Sequence, residues 1–242
     1  MRLTVLGGCG AWPAAGQACS GYLVEHDGFT VLLDPGYAVL PRMLTHINVE
    51  DLDAVLVSHG HPDHCADLNP LLRARAFSDD PAPPLPVYAP PHALTAVLAL
   101  DRKGMLDDAI AVSDITPGDP FTVGPFDVRT WPLPHMLPNA GLRLTADGQT
   151  IAYTGDTGPA PELIDLARDA HIFLAEASYP RAVPADMARH LSSAAQAGRT
   201  AAQANVQRLV LTHLMPGTNA DEAIEAAAAS FTGEISVATA AQ

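Results

Sequence analysis

A chain of 242 residues, 48% hydrophobic and 17% charged, has enough apolar material for a full core and is neither disordered nor coiled-coil in composition. Its 27 acidic residues against 13 basic ones leave a net charge of −14. That balance argues against a grip on long nucleic acid, which needs clustered Lys and Arg, but not against a small phosphate ester, because bound cations reverse the local field.

The opening stretch MRLTVLGGCG holds one basic residue and a short alternating run. It reads as a strand over 3–6 and not as a signal peptide. Strands follow at 21–25 and 29–34, with His26-Asp27-Gly28 supplying the turn of a hairpin. The pattern predicts a helix over 38–48 and a buried strand over 54–58. Six prolines in DDPAPPLPVYAPP, residues 79–91, mark a surface connection around a short strand at 87–89, with a helix after it at 92–103. Strands return at 126–130, 141–145 and 151–153, with Asp147-Gly148 as a turn. The last hundred residues alternate helix 160–168, strand 172–175, helix 193–204, strand 208–212, helix 220–230 and strand 235–237. Meandering strands followed by alternating strands and helices predict two sheets with helices outside, in one domain over 1–242. No apolar run approaches the ~20 residues of a membrane helix. Cys9, Cys19 and Cys65 form no CxxC pair, so a disulfide framework is not expected and a reducing cytoplasm fits better.

Three of the ten histidines fall in VLVSHGHPDH, residues 55–64. His59, His61, Asp63 and His64 are donors suited to Zn²⁺ or a similar divalent ion. In an extended segment His59 and His61 point the same way and can share an ion, while Asp63 and His64 fall on the following turn and can face a second. His135 ends DVRTWPLPH, Asp156 ends TIAYTGD and His213 ends RLVLTH. Each comes just past an apolar strand, where strand ends and their loops build active sites. His26, His46, His92 and His171 lack that placement and read as structural or surface residues.

His-X-His-X-Asp-His, a distant His, Asp in a TGD context and a late LTH resemble the metallo-β-lactamase superfamily, and the resemblance runs from LGGCG and LLDPG (Asp34) to Val237. It implies an α/β fold, a four-layer αββα sandwich with two metal ions at one edge of the sheets. By motif, His59, His61 and His135 would hold the first ion, Asp63, His64 and His213 the second, and Asp156 would bridge them. The ions implied are Zn²⁺ or Mn²⁺. The superfamily's substrates are varied, so these motifs do not name one.

Residues 176–213, EASYPRAVPADMARHLSSAAQAGRTAAQANVQRLVLTH, resemble the ribonuclease Z-like phosphodiesterase branch. That match makes His190 an extra catalytic histidine, just before a helix capped by Ser192 or Ser193, and makes Asp63 the residue that orients the nucleophile. Between His64 and His135 the basic residues are Arg73, Arg75, Arg102, Lys103 and Arg129, and no RNA-gripping arm is evident. DHCADL, with Asp67 where a glycine is common, is closer to the cyclic-nucleotide phosphodiesterases of the branch. The expectation is a binuclear metal-dependent hydrolase of a small cyclic nucleotide. A thioesterase or lactonase, or a tRNA 3′-processing endonuclease lacking the arm, stands as the alternative. The implied partner is a small-molecule substrate, with neither long nucleic acid nor membrane; a homodimer is allowed.

Overall fold

The computed structural model describes residues 1–79 and 81–239. Asp80, in the proline-rich stretch, and residues 240–242, inside the expected domain, lie outside the described residues. The first half runs β1 (Arg2–Cys9), β2 (Ala18–Cys19), β3 (Gly21–His26), β4 (Phe29–Leu33), α1 (Val39–Met43), β5 (Ala54–Leu56), α2 (Pro62–Cys65), α3 (Leu68–Ala76), β6 (Leu85–Ala89), α4 (Thr95–Leu98) and β7 (Ile110–Asp114). The second runs β8 (Phe121–Val123), β9 (Phe126–Leu133), β10 (Asn139–Ala146), β11 (Gln149–Tyr153), α5 (Glu162–Ala167), β12 (Ile172–Glu176), α6 (Ala194–Gln203), β13 (Arg208–Thr212), α7 (Ala220–Ala228) and β14 (Glu234–Val237).

Each half forms a seven-stranded sheet, in the orders β2-β1-β3-β4-β5-β6-β7 and β14-β13-β12-β11-β10-β9-β8. Period-2 alternation assigns each side chain to a layer. In β3 and β4, Tyr22, Val24, Val31 and Leu33 face the second sheet, while Leu23 and Leu32 pack with Val39, Met43 and Leu68 on the helical side. In β12 and β13, Leu174 and Val210 face inward, and Phe173, Leu209 and Leu211 pack against the alanine-rich α6 and α7. The strands read as unbroken apolar runs because both faces are covered. The result is the expected αββα sandwich.

The two hairpin turns form as expected: Asp27-Gly28 and Asp147-Gly148 all have positive φ, the conformation of a tight two-residue hairpin loop. Several boundaries differ. The helix expected over 38–48 contracts to α1, closed by the Thr45 hydroxyl on the Arg42 carbonyl, and Asn48 instead caps a separate 3₁₀ turn at Val49–Asp51. The helix expected over 92–103 contracts to α4, because Pro90-Pro91 and a left-handed His92 precede it. Helix α3 was not expected, since Pro70 interrupts its pattern; Pro70 sits in the first turn, where its missing N–H leaves no helical bond unmade. Strand β7 was also missed, an edge strand whose last four residues are exposed and which carries little apolar signal.

Strands β1, β4 and β5 run in one direction, as do β9, β11, β12 and β13. Their C-terminal ends meet at one edge, where the Ala140 amide bonds to the Ser58 carbonyl and the Gly10 amide to the Leu214 carbonyl across the two sheets.

Candidate metal centre

Every donor that the sequence singles out emerges at this edge. His59 and His61 follow β5, with Pro62 opening α2, where a proline at the first helical position costs no hydrogen bond. The backbone is therefore extended through His61 and helical from Pro62, which swings Asp63 and His64 onto a helix and not the turn expected. His135 follows β9, Asp156 follows β11 and His213 follows β13. Two groups of donor atoms result, each within 4.8 Å of one another: His59, His61, His135 and Asp156, and Asp63, His64, His213 and Asp156. Asp156 belongs to both.

The rings are aimed by partners on their far sides. His59 Nδ1 lies 3.1 Å from Ser58 Oγ, which donates to Asp34; His64 Nδ1 donates to Asp34 Oδ2 at 2.7 Å. His135 Nδ1 donates to the His190 carbonyl at 2.8 Å, and His213 Nδ1 donates to Ser178 Oγ at 2.9 Å, which itself donates to Glu176. Outward N–H groups at Nδ1 leave each Nε2 as a lone pair toward the centre, the arrangement that ligand histidines need. His61 is the exception and presents Nδ1 inward, 3.1 Å from His59 Nε2 and 3.0 Å from His135 Nε2.

Three ring nitrogens converging at that spacing repel unless a cation lies among them, since one proton on His61 can serve only one neighbour. A tetrahedral site with metal–nitrogen bonds of about 2.0–2.1 Å has nitrogens roughly 3.3 Å apart. In the second group, Asp156 Oδ2 and Asp63 Oδ2 each stand 3.1 Å from His213 Nε2. His64 Nε2 and Asp156 Oδ1 are both buried without a hydrogen bond. Imidazoles, carboxylates and orphaned buried atoms together fit divalent ions.

The charges agree. Burial holds His59, His61 and His135 below the ordinary histidine pKa and so keeps them neutral. Burial also opposes charge on His213, but Asp156 and Asp63 outweigh it and push it up to about 10. Asp63 is held well below the usual carboxylate range: burial works against its charge, and His213 and His64 overcome that.

Comparison with known proteins agrees with this geometry. The family description "Beta-lactamase superfamily domain" matches residues 30–214. The chain belongs to the metallo-β-lactamase superfamily. It is 32% identical to the probable metallo-hydrolase YhfI of Bacillus subtilis over 241 residues, covering 98% of this chain and 97% of that one. The crystal structure of YhfI, described as a metallo-beta-lactamase fold protein, superposes with a TM-score of 0.89 at 30% identity, covering 99% and 97% of the two chains. A ribonuclease Z of Kineococcus radiotolerans is 30% identical, over 88% of this chain and 82% of its own.

In this member of the metallo-β-lactamase superfamily the centre opens into a cavity of about 300 Å³ bordered by His61, Asp63, His135, Asp156 and His213 and by apolar Met136, Met187, Leu191 and Met215. The Ala11 amide donates to Asp63 Oδ2 at 2.8 Å. Gly36 permits the approach of α2, since a Cβ there would stand 2.0 Å from the Asp63 carbonyl oxygen. The His190 ring centroid lies 6.4 Å from that of His135, and its Nδ1 is buried without a hydrogen-bond partner. Ser193, not Ser192, caps α6; the Ser192 amide bonds to Glu176.

Asp34, Ser58, Glu176 and Ser178 were not singled out as site residues. Asp34 and Glu176 carry the same strand-end signal as the histidines, and applying it to every acidic residue would have found both. Asp67 turns to α1, accepting the Leu40 amide at 2.8 Å. Arg75 is buried, bonded to the carbonyls of Val49, Leu52 and Pro83. His26 faces Asp147 at 3.0 Å between the two hairpin turns, at the opposite edge.

Proposed function

We propose that this metal-dependent hydrolase cleaves a small phosphodiester, a cyclic nucleotide first among the class, using two divalent ions, zinc or manganese. His59, His61 and His135 would hold one and Asp63, His64 and His213 the other, with Asp156 within reach of both. The observation that carries the reading is the pair of donor clusters sharing Asp156 beside one small cavity. When bound, such a pair of ions supplies Lewis acidity toward phosphoryl oxygens and lowers the pKa of a water nucleophile. Asp63 orients that nucleophile through its carboxylate, which the Ala11 amide holds in place. His190, its Nδ1 unpaired beside His135, donates to the phosphate or to the leaving oxygen. An imidazole suits that donation because its ring N–H is both a hydrogen-bond donor and a transferable proton.

The cavity and the charge favour a small substrate. About 300 Å³ is at the small end of the ~300–1,000 Å³ range of ligand pockets. The ribonuclease Z relative keeps a tRNA-processing reading in view. Against it, Arg75 is engaged inside the fold and Arg73 is paired with Asp101 at 2.6 Å. That leaves Arg102, Lys103 and Arg129 to meet phosphates between His64 and His135, on a chain of net charge −14.

The test is a panel on metal-loaded protein: bis(p-nitrophenyl) phosphate, cyclic AMP, an acyl thioester, a lactone and a precursor tRNA. Turnover of the first two is expected. Turnover of the thioester or lactone alone overturns the phosphodiesterase reading, and cleavage of the tRNA in preference to cyclic AMP overturns the small substrate.

A further inference from the structure

The cavity at the candidate metal centre holds one polar side chain that the proposed reaction does not use. Tyr179 borders it together with Met136, Met187, Leu191 and Met215. Apart from the candidate donors, Tyr179 is the only bordering residue whose side chain carries an N–H or O–H. Its main chain is fixed. The Tyr179 carbonyl accepts the Ala194 amide at 2.8 Å, and the residue pairs with Ser193 in an isolated parallel bridge. One residue earlier, the Ser178 hydroxyl accepts from the His213 ring and the Ser178 carbonyl from the Met215 amide. The same short segment thus supports a candidate metal ligand and supplies part of the cavity's border.

The phenol itself is uncommitted. Tyr179 is half-buried, yet among the described residues its hydroxyl has no hydrogen-bond partner and its ring meets no other aromatic ring. A tyrosine in that position ordinarily finds a partner for its hydroxyl, and here the open place is beside the cavity. The remaining border narrows what could fill it. No Lys or Arg lines the cavity, so a phosphate belongs at the donor clusters, where divalent ions would neutralise it. A second charged group would meet no counter-charge, and burying it would be costly. The rest of the substrate therefore meets thioether, leucine and phenol surface. Methionine side chains adapt to the edge of an aromatic ring, and a phenol stacks on planar heterocycles.

We propose that Tyr179 is a specificity-determining residue, whose ring packs against an uncharged planar group of the phosphodiester and whose hydroxyl bonds to that group's polar edge. The inference rests on the phosphodiesterase reading and deepens it: the substrate carries a planar ring system within reach of its phosphate.

The experiment measures, by calorimetry, the binding of inorganic phosphate and of adenosine 5′-monophosphate to the metal-loaded protein. The two probes share a phosphate and differ in the planar group. The parent should bind the nucleotide about tenfold or more tighter than phosphate. Tyr179→Leu keeps apolar bulk without a planar ring. It should remove most of that advantage while metal content and phosphate affinity stay within about twofold of the parent. Tyr179→Phe keeps the ring and should hold the nucleotide within about threefold of the parent. In protein labelled with 3-fluorotyrosine, the fluorine resonance that Tyr179→Phe deletes should shift with the nucleotide and not with phosphate.

Binding of neither probe by the parent overturns the phosphodiesterase reading itself. Binding of both with no preference, or a preference unchanged in Tyr179→Leu, overturns the role of Tyr179 alone. Equal loss of both probes in that variant assigns the residue to the support of His213 and overturns the inference too. Loss in Tyr179→Phe as large as in Tyr179→Leu overturns the ring contact. An unmoved tyrosine resonance does the same, whether or not the leucine variant folds.

Discussion

His64 Nε2 and Asp156 Oδ1 stand 3.1 Å apart in the interior and share no hydrogen bond. An unsatisfied buried polar group costs about 1–3 kcal/mol, and a divalent ion held by this donor group would give both atoms a partner. Chelation should therefore lower the melting temperature, and adding zinc or manganese should restore it, since a ligand that binds only the folded state stabilises by mass action. Elemental analysis of protein purified without chelator should approach two equivalents. A melting temperature indifferent to metal, with content near zero after loading, would overturn the site.

Asp156→Ala removes the one carboxylate common to both donor groups. Its loss leaves any two bound cations close together with no shared anion, so metal content and turnover should fall together. Full metal content with normal turnover would mean that a different residue bridges.

Asp34 controls rings in both groups without entering either. It accepts from the His64 ring and, through the Ser58 hydroxyl, aims His59; the Tyr153 hydroxyl and the Ser58 amide complete its bonds. Asp34→Asn removes the charge and sets a donor against those donors. Metal affinity should fall by about 10–100-fold, measured by competition with a chromophoric chelator. Unchanged affinity at both sites would show that the rings hold their tautomers without it.

The candidate donors were legible in the sequence because His59, Asp156 and His213 follow buried apolar strands, while His61, Asp63 and His64 share the short HGHPDH run with His59. Asp34 was less visible: Asp34-Pro35-Gly36 reads equally well as turn chemistry, and only tertiary contact shows which group the carboxylate meets. Helix α3 and strand β7 were hidden for opposite reasons. Pro70 breaks the helical pattern where it does no harm, and β7 lies at an edge that needs few apolar residues.

The thiols supply a pH test remote from turnover. Burial pushes Cys19 up to about 12, and burial raises Cys9 as well. A raised pKa means that the folded state keeps a proton the unfolded state releases, so this contribution to stability is intact below the unfolded thiol value, about 8.5. It should decline as pH rises from there toward 12, read as a falling denaturation midpoint. In native protein at pH 8 the thiols should react with a disulfide reagent far more slowly than in denaturant. Rapid labelling of all three in the native state would show that this edge opens.

His190 separates two roles within one residue. Its carbonyl oxygen holds His135 Nδ1 at 2.8 Å, while its own ring Nδ1 is buried and unpaired. His190→Ala keeps the carbonyl, so metal content and folding should stay close to those of the parent. If the ring donates in the transition state, kcat should fall by about 10²–10⁴-fold. The deficit should be smaller with a p-nitrophenyl ester than with cyclic AMP, because p-nitrophenolate leaves with little need of a proton and a nucleoside 3′-oxygen does not. Rescue by His190→Gln, which offers a hydrogen-bond donor but no transferable proton, should be partial on the activated ester and weak on cyclic AMP. A variant that hydrolyses cyclic AMP as fast as the parent would reduce the ring to a bystander and leave only the carbonyl with a role.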